Sequence, residues 1–265
     1  MKHLSDLQCP MSDRILLNFD LYRPDAEGAY PVILMRTPYS KSSLTNERIY
    51  ACPERFTSAG YCVMVQECRG TGRSGGVLDA NAFNEYQDGV DTVNWVAEQS
   101  WCDGNVGMFG LSYFGFTQLA AASCAPKALK AICPFMTQAA EPFGAQMTQT
   151  YNFFHLCWIY GQVQNNPVRF IPDEGRRESV LQTLREYAPR LAEYAMHLPA
   201  NQNPAACVEG VPLLKDYLAL INGIEDRDFW HRMRHPTDYT QAHCAMFHSV
   251  RYYIIGADEW REDTA

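Results

Sequence analysis

Apolar and polar positions change their spacing several times along the chain, and each change marks an element. Residues 14-RILLNFDLYRP-24 alternate apolar with polar and stop at Pro24, the pattern of a strand or hairpin arm with one covered face. Residues 31-PVILMRTPY-39 and 61-YCVMVQEC-68 are continuous apolar runs bounded by turns, which predicts strands buried on both faces. The polar stretch between them, from Ser40 to Thr57, is expected to be partly helical. In 84-NEYQDGVDTVNWVAEQS-100, Val90, Val93, Trp95, Val96 and Ala97 fall around a helical period. A short strand is expected at 105-NVGMFG-110, a small-residue helix at 113-YFGFTQLAAASC-124 and another buried strand at 128-ALKAICPFM-136. Strand, helix, strand, helix, strand in this order predicts a parallel α/β sheet with right-handed crossovers.

From about Glu141 the texture changes. Aromatic and methionine residues crowd 147-MTQTYNFFHLCWIYGQV-163, and charged helical patterns occupy 173–198 and 212–234. This predicts an all-helical block inserted after a sheet strand, where lids over active sites are built. The last strand-like run is 250-VRYYIIG-256. The expected organisation is a core at 1–140, a helical lid at 141–240 and a remnant at 241–265.

Composition narrows the function classes. At 265 residues and 47% hydrophobic, the chain can bury a substantial core. A net charge of −8 argues against a nucleic-acid partner. The 10 cysteines include no C-x-x-C pair, and several sit in apolar runs, as in 60-GYCVMVQEC-68. That favours small buried thiols in a reducing compartment over disulfides or zinc. The start, MKHLSDLQCPMSD, holds no signal-peptide core, and no window reaches the ~18–20 apolar residues of a membrane span. A cytoplasmic protein with no membrane partner is expected.

Two motifs bear on chemistry. Residues 70-GTGRSG-75 match G-x-G-x-x-G after a strand, which suggests a dinucleotide site. Such a loop must open a helix directly so that the helix N-terminus holds the pyrophosphate. Here 76-GVLDANAFNEYQ-87 intervenes, so a tight surface turn is favoured and no cofactor or metal is expected. In 107-GMFGLSYFG-115, Ser112 lies between a strand and a helix with Gly110 before it, close to the G-x-S-x-G elbow of serine nucleophiles, although the second glycine arrives one place late at Gly115. The pattern alone leaves two readings, a nucleophile on a strained turn or a helix cap.

From Met11 to about Phe135 the chain resembles the cocaine esterase and X-Pro dipeptidyl-peptidase branch of the α/β-hydrolases. The resemblance rests on 12-SDRILLNFDLYRP-24, 31-PVILMRTPYSK-41, 67-ECRGTGRSGG-76 and 88-DGVDTVNWVAEQSWCDGNVGMFGLSYFG-115. In that branch the elbow is G-x-S-Y-x-G, its second glycine displaced as here. The resemblance implies an α/β-hydrolase-type, mostly parallel sheet with a helical lid, and Ser112 as the nucleophile. It further implies that the Tyr39 hydroxyl and the Tyr113 backbone amide donate to the oxyanion. The stretch 226-DRDFWHRMRHP-236 resembles the segment leading out of the lid, and Phe153, Phe154 and Trp158 could line an acyl pocket or simply pack a core.

The chain also departs from that pattern. In this fold the acid and then the histidine follow the serine in sequence, yet neither the G-G-W-Y-D-like nor the G-P-W-x-H-like turn is present. The seven histidines, His3, His155, His197, His231, His235, His243 and His248, follow no recognisable strand at the carboxyl edge. Asp258 after 250–256 is a plausible acid from the residues alone, but no histidine lies beyond it. The triad acid and base therefore stay unassigned, and the sheet is expected to be incomplete, with low stability or self-association. The sequence predicts a serine hydrolase acting on a small ester, an amide or a short peptide with proline next to its amino terminus. An α-ammonium site for the peptide would call on Glu141, Asp173 or Glu174. The alternative is a catalytically impaired relative, truncated or kept as a binding module.

Overall fold

Nine residues at the amino terminus form a strand that the hydrophobic pattern does not announce. Strand β1 (Lys2–Pro10) is exposed along most of its length. It pairs antiparallel with β2 (Leu16–Arg23), across a turn in which the Met11 amide donates to the Ile15 carbonyl at 2.8 Å. A sheet edge needs few apolar side chains, so KHLSDLQCP carries no clear alternation. The computed structural model describes residues 1–41, 52–78, 82–137, 149–161, 168–195, 197–222 and 240–247, with the backbone alone at 149–154 and 220.

The buried runs become β3 (Tyr30–Thr37) and β4 (Cys62–Glu67), followed by β5 (Cys102–Leu111), β6 (Leu129–Phe135) and the two-residue β7 (Ala245–Met246). Their order across the sheet is β1-β2-β4-β3-β5-β6-β7. The β1/β2 and β2/β4 junctions are antiparallel and the rest parallel. Helices α1 (Pro53–Ser58), α2 (Asn84–Ala97) and α3 (Tyr113–Ser123) make the crossovers. Leu17, Val32, Leu34, Met64, Val93, Val106, Leu119 and Ile132 form part of the central core.

Strand β7 corrects the sequence expectation, which placed no strand between 236 and 247. Its two residues pair with Ala131 and Ile132, and the Phe247 amide donates to the Ile132 carbonyl at 3.0 Å. Among the described residues no strand covers the carboxyl half of β6 on that side. The expected strand at 250–256 and Asp258 lie outside the described residues.

The described residues fall into two compact units, one within 1–76, 84–139 and 236–265, the other within 77–83 and 140–235. The second is helical, with α4 (Gln149–Gly161), α5 (Glu174–Tyr187), α6 (Leu191–Tyr194) and α7 (Pro212–Asn222). The helical pattern expected over 173–198 is interrupted by a 3-10 turn at Ala188–Arg190, where Pro189 lacks the amide an α-helix would use. The helical pattern expected over 212–234 is described only as far as Asn222. Leu156, Ile159, Leu184, Leu214 and Tyr217 pack this unit's own core.

His155 sits in that core, its ring 5.6 Å from Tyr217 edge-on and 6.0 Å from Trp158. Burial lowers its pKa from 6.5 to about 4. The fold thus favours the neutral ring while the unfolded chain takes up a proton below about pH 6.5. Stability is complete above that pH and should fall by roughly 1.4 kcal/mol per pH unit as pH drops toward 4. Thermal melts at pH 7.5 and 5.0 should show this loss, and His155→Phe should remove most of the difference.

Candidate active site

Ser112 occupies the one-residue turn between β5 and α3, with φ 59° and ψ −122°. L-residues adopt such a backbone only when their surroundings enforce it. Three contacts enforce it here. The Ser112 amide donates to the Phe135 carbonyl of β6 at 2.9 Å, and its carbonyl accepts from the amides of Gly115 and Phe116 at 2.8 and 3.0 Å. Gly110, at φ +142°, lies so close to Phe114 that an added Cβ would fall 2.5 Å from the Phe114 Cβ. Ser112 does not cap α3 through its side chain, and the residue is exposed.

The late glycine has a local cause. A Cβ on Gly115 would fall 2.7 Å from Thr137 Cγ2 and 3.1 Å from the Phe135 carbonyl, so residue 115 is where α3 crosses the end of β6. Residue 114 faces elsewhere: its ring is buried beside Tyr39, with centroids 6.1 Å apart. The small residues of α3 include the buried run Ala120–Ala122. Ala121 also serves α2, since a Cβ on Gly89 would fall 2.9 Å from its Cβ.

Tyr39 follows β3, the neighbour of β5. Leu34 is level with Met108, so the two strands finish side by side at Thr37 and Leu111. Tyr39, Ser112 and Tyr113 therefore gather at the carboxyl edge, where open α/β sheets bind ligands. Tyr39 is half-buried and its amide donates to Thr37 Oγ1 at 3.0 Å. The Tyr113 amide opens α3, one of the first-turn amides that a helix does not bond internally. The Tyr113 side chain points away into a buried cluster, donating its hydroxyl to Glu85 Oε1 at 3.0 Å.

That cluster is the part of the site that sequence reasoning missed. Arg36 on β3 is completely buried and pairs with Glu85 at 2.9 Å, with Asp88 3.9 Å away. Arg36 Nε donates to Gln66 Oε1 at 2.8 Å, which also accepts from Thr92 Oγ1 at 3.0 Å. Arg69 grips Asp88 with two hydrogen bonds of 2.9 and 2.6 Å and reaches Asp13 at 2.6 Å. Burial works against the Arg36 charge, but Glu85 and Asp88 hold its pKa above the ordinary value. Burial also raises the Glu85 carboxyl, opposed by Arg36. The signal was present in the helix: Glu85, Asp88, Gly89, Thr92, Val93 and Val96 form one buried face, and a count of apolar positions alone passes over its charged half.

The other candidates fall elsewhere. His3 on β1 stacks on Tyr22 at 4.2 Å and contacts Asp20. His243 precedes β7, which runs parallel to β6, and so lies toward the opposite edge of the sheet from Ser112. His155 and His197 belong to the helical unit. Asp173 caps α5, accepting from the Arg176 amide at 2.6 Å, and Glu174 stands in the first turn. Trp158 is half-buried against the helical unit's core, and the side chains of Phe153 and Phe154 lie outside the described residues. His231, His235, His248 and Glu141 also lie outside them. Among the described residues no histidine bonds Ser112 Oγ.

The glycine loop does not open a helix: the Gly70 amide donates to the Gly75 carbonyl at 2.8 Å, and α2 starts only at Asn84. All ten cysteines are free, with Cys9, Cys62, Cys68 and Cys102 buried, and burial pushes the Cys9 thiol up to about 12. No described helix is long and apolar enough to cross a membrane.

The sequence profile of the X-Pro dipeptidyl-peptidase (S15 family) matches residues 13–250. The chain belongs to this family. It is also similar to the cocaine esterase of Rhodococcus sp., 43% identical over 141 residues, which cover 51% of this chain and 24% of that enzyme. The chain spans about a quarter of the length of the curated relatives it matches. Among solved structures, a CocE/NonD family hydrolase from Staphylococcus aureus aligns at a TM-score of 0.55 and 23% identity, over 70% of this chain and 36% of that one. An α-amino acid ester hydrolase aligns at 0.54 and 20% identity, over 78% of this chain and 40% of that one. These two share the α/β-hydrolase fold with the chain, and the family is one of esterase- and peptidase-like hydrolases.

Proposed function

We propose that the chain carries a serine hydrolase site in which Ser112 Oγ attacks the carbonyl carbon of a small ester, an amide or a short X-Pro peptide. The observation that carries the reading is the enforced φ of 59° at Ser112, an exposed residue at the sheet's carboxyl edge. As the Oγ–carbon bond forms, the hydroxyl proton leaves to a general base and charge develops on the carbonyl oxygen. The Tyr113 amide and the Tyr39 hydroxyl are the donors for that oxygen, aided by the α3 N-terminus. Collapse of the tetrahedral species expels the alcohol or amine and leaves an acyl group on Ser112, which water then removes. The base and its orienting acid are not among the residues placed at this edge.

A fluorophosphonate probe tests the reading. Mass spectrometry should find the phosphonyl adduct on the Ser112 peptide of the parent chain and none on Ser112→Ala. Equal labelling of the two proteins, or an unlabelled parent, would refute the nucleophile. An unlabelled but folded parent would favour the second reading, a binding module on a hydrolase fold.

A further inference from the structure

The 70-GTGRSG-75 loop takes no part in the chemistry proposed above, yet its conformation is costly. Gly72 has φ +46°, and a Cβ there would fall 2.1 Å from the Glu67 carboxyl carbon. The loop is wrapped around that carboxylate. Glu67 Oε2 accepts the Arg73 amide at 2.7 Å, and Oε1 accepts the Lys41 amide in a longer bond of 3.4 Å. Glu67 itself is only 3% exposed.

Lys41 stands two residues beyond Tyr39, and its ammonium is as firmly held as its backbone. Its side chain is 8% exposed and binds Asp20 on β2 and, at 2.8 Å, Asp6 on β1. Asp6 reaches it because β1 departs from regular pairing between Leu4 and Leu7, where Asp6 takes φ 57° and its amide donates to Asp20 Oδ1 at 2.9 Å. Irregularities of this kind re-aim a side chain at the expense of ladder bonds. Asp6 also pairs with Arg73 of the glycine loop. From the other side, the Tyr39 amide is bound to Thr37, whose carbonyl accepts the Cys68 amide at 2.7 Å.

We propose that the glycine loop, through Glu67 and Lys41, is the mount of Tyr39, and that both are positioning residues for the oxyanion donor. Gly72 is glycine because the carboxylate fills the space of its side chain. The irregular stretch of β1 completes the mount by supplying Asp6. The catalytic part of this inference rests on the proposed function; the mounting itself does not.

Two measurements on the full chain separate those parts. In Lys41→Met and Gly72→Ala, hydrogen exchange in peptide 37–41 should accelerate roughly tenfold or more, while peptide 129–135 of β6 keeps its protection. Unchanged exchange at 37–41 overturns the mount; should Gly72→Ala fail to fold, Lys41→Met decides. For catalysis, Lys41→Met should slow Ser112 phosphonylation about tenfold or more. It should have no further effect in a Tyr39→Phe background, since it acts through that hydroxyl, and Lys41→Arg should restore part of the rate. Independent, multiplying effects of the two substitutions would overturn the positioning role. A Tyr39→Phe rate equal to the parent's would instead overturn the oxyanion assignment, with the exchange result still deciding the mount.

Discussion

Replacing Arg36 with methionine should destabilise the sheet unit by about 3–5 kcal/mol, the cost of removing one partner from a buried ion pair. Arg36 is the only cation within 4 Å of Glu85 among the described residues, and it joins β3 to α2. Without it the Glu85 carboxylate keeps the Tyr113 hydroxyl but has no counter-charge at 2.9 Å. Asp88 is affected less because Arg69 holds it with two hydrogen bonds. The loss should appear as a lower urea midpoint and weaker amide protection in β3 and β5. Adding Glu85→Gln should recover part of it, because a neutral amide is cheaper to bury than an unpaired carboxylate. A single variant as stable as its parent would show that packing, not the ion cluster, fixes α2 on the sheet. The total stability of a domain is about 5–15 kcal/mol, so Arg36→Met should leave little margin.

Removing the Tyr39 hydroxyl should have the largest kinetic effect after loss of Ser112 itself. Loss of one oxyanion donor typically slows acyl transfer about 10²–10³-fold, or about 2.7–4 kcal/mol of barrier. The Tyr39→Phe ring can keep its place 6.1 Å from Phe114 and against Met35, Val65 and their neighbours, so its urea midpoint should stay close to the parent's. Ser112 phosphonylation is the readout. A slow rate with unchanged stability supports the donor role, and an unchanged rate transfers the oxyanion to backbone amides alone.

Different parts of the molecule were legible to different degrees. The runs 31–39 and 61–68 announced central strands because both faces of such strands are covered. The run 128–136 did form a strand, but not the buried one expected: β6 lies beside the two-residue β7 and leaves Lys130 and Ala131 exposed. The edge strand β1 was not legible, since its partners are backbone groups on one side only. The two residues of β7 were too few to form a pattern. Helix α2 was found through Val93 and Val96 but read with half its buried face omitted. The glycine loop was read as a tight surface turn; it is a turn, but Thr71 and Ser74 are buried in it, and the carboxylate that demands glycine at 72 lies upstream at Glu67 and follows no motif rule.

The sequence by itself determined the α/β class and the strand-to-helix setting of Ser112, because periodicity and small residues are local properties of the chain. Together with the resemblance it also determined the family. Only the tertiary structure decided that the turn at Ser112 is enforced, that β3 and β5 finish side by side so that Tyr39 and Ser112 share one sheet edge, and that Arg36, Glu85 and Asp88 are buried together. Those facts depend on strand register and on charges that meet across 50 residues or so of chain, and a buried ion pair leaves no periodic trace in either partner's sequence.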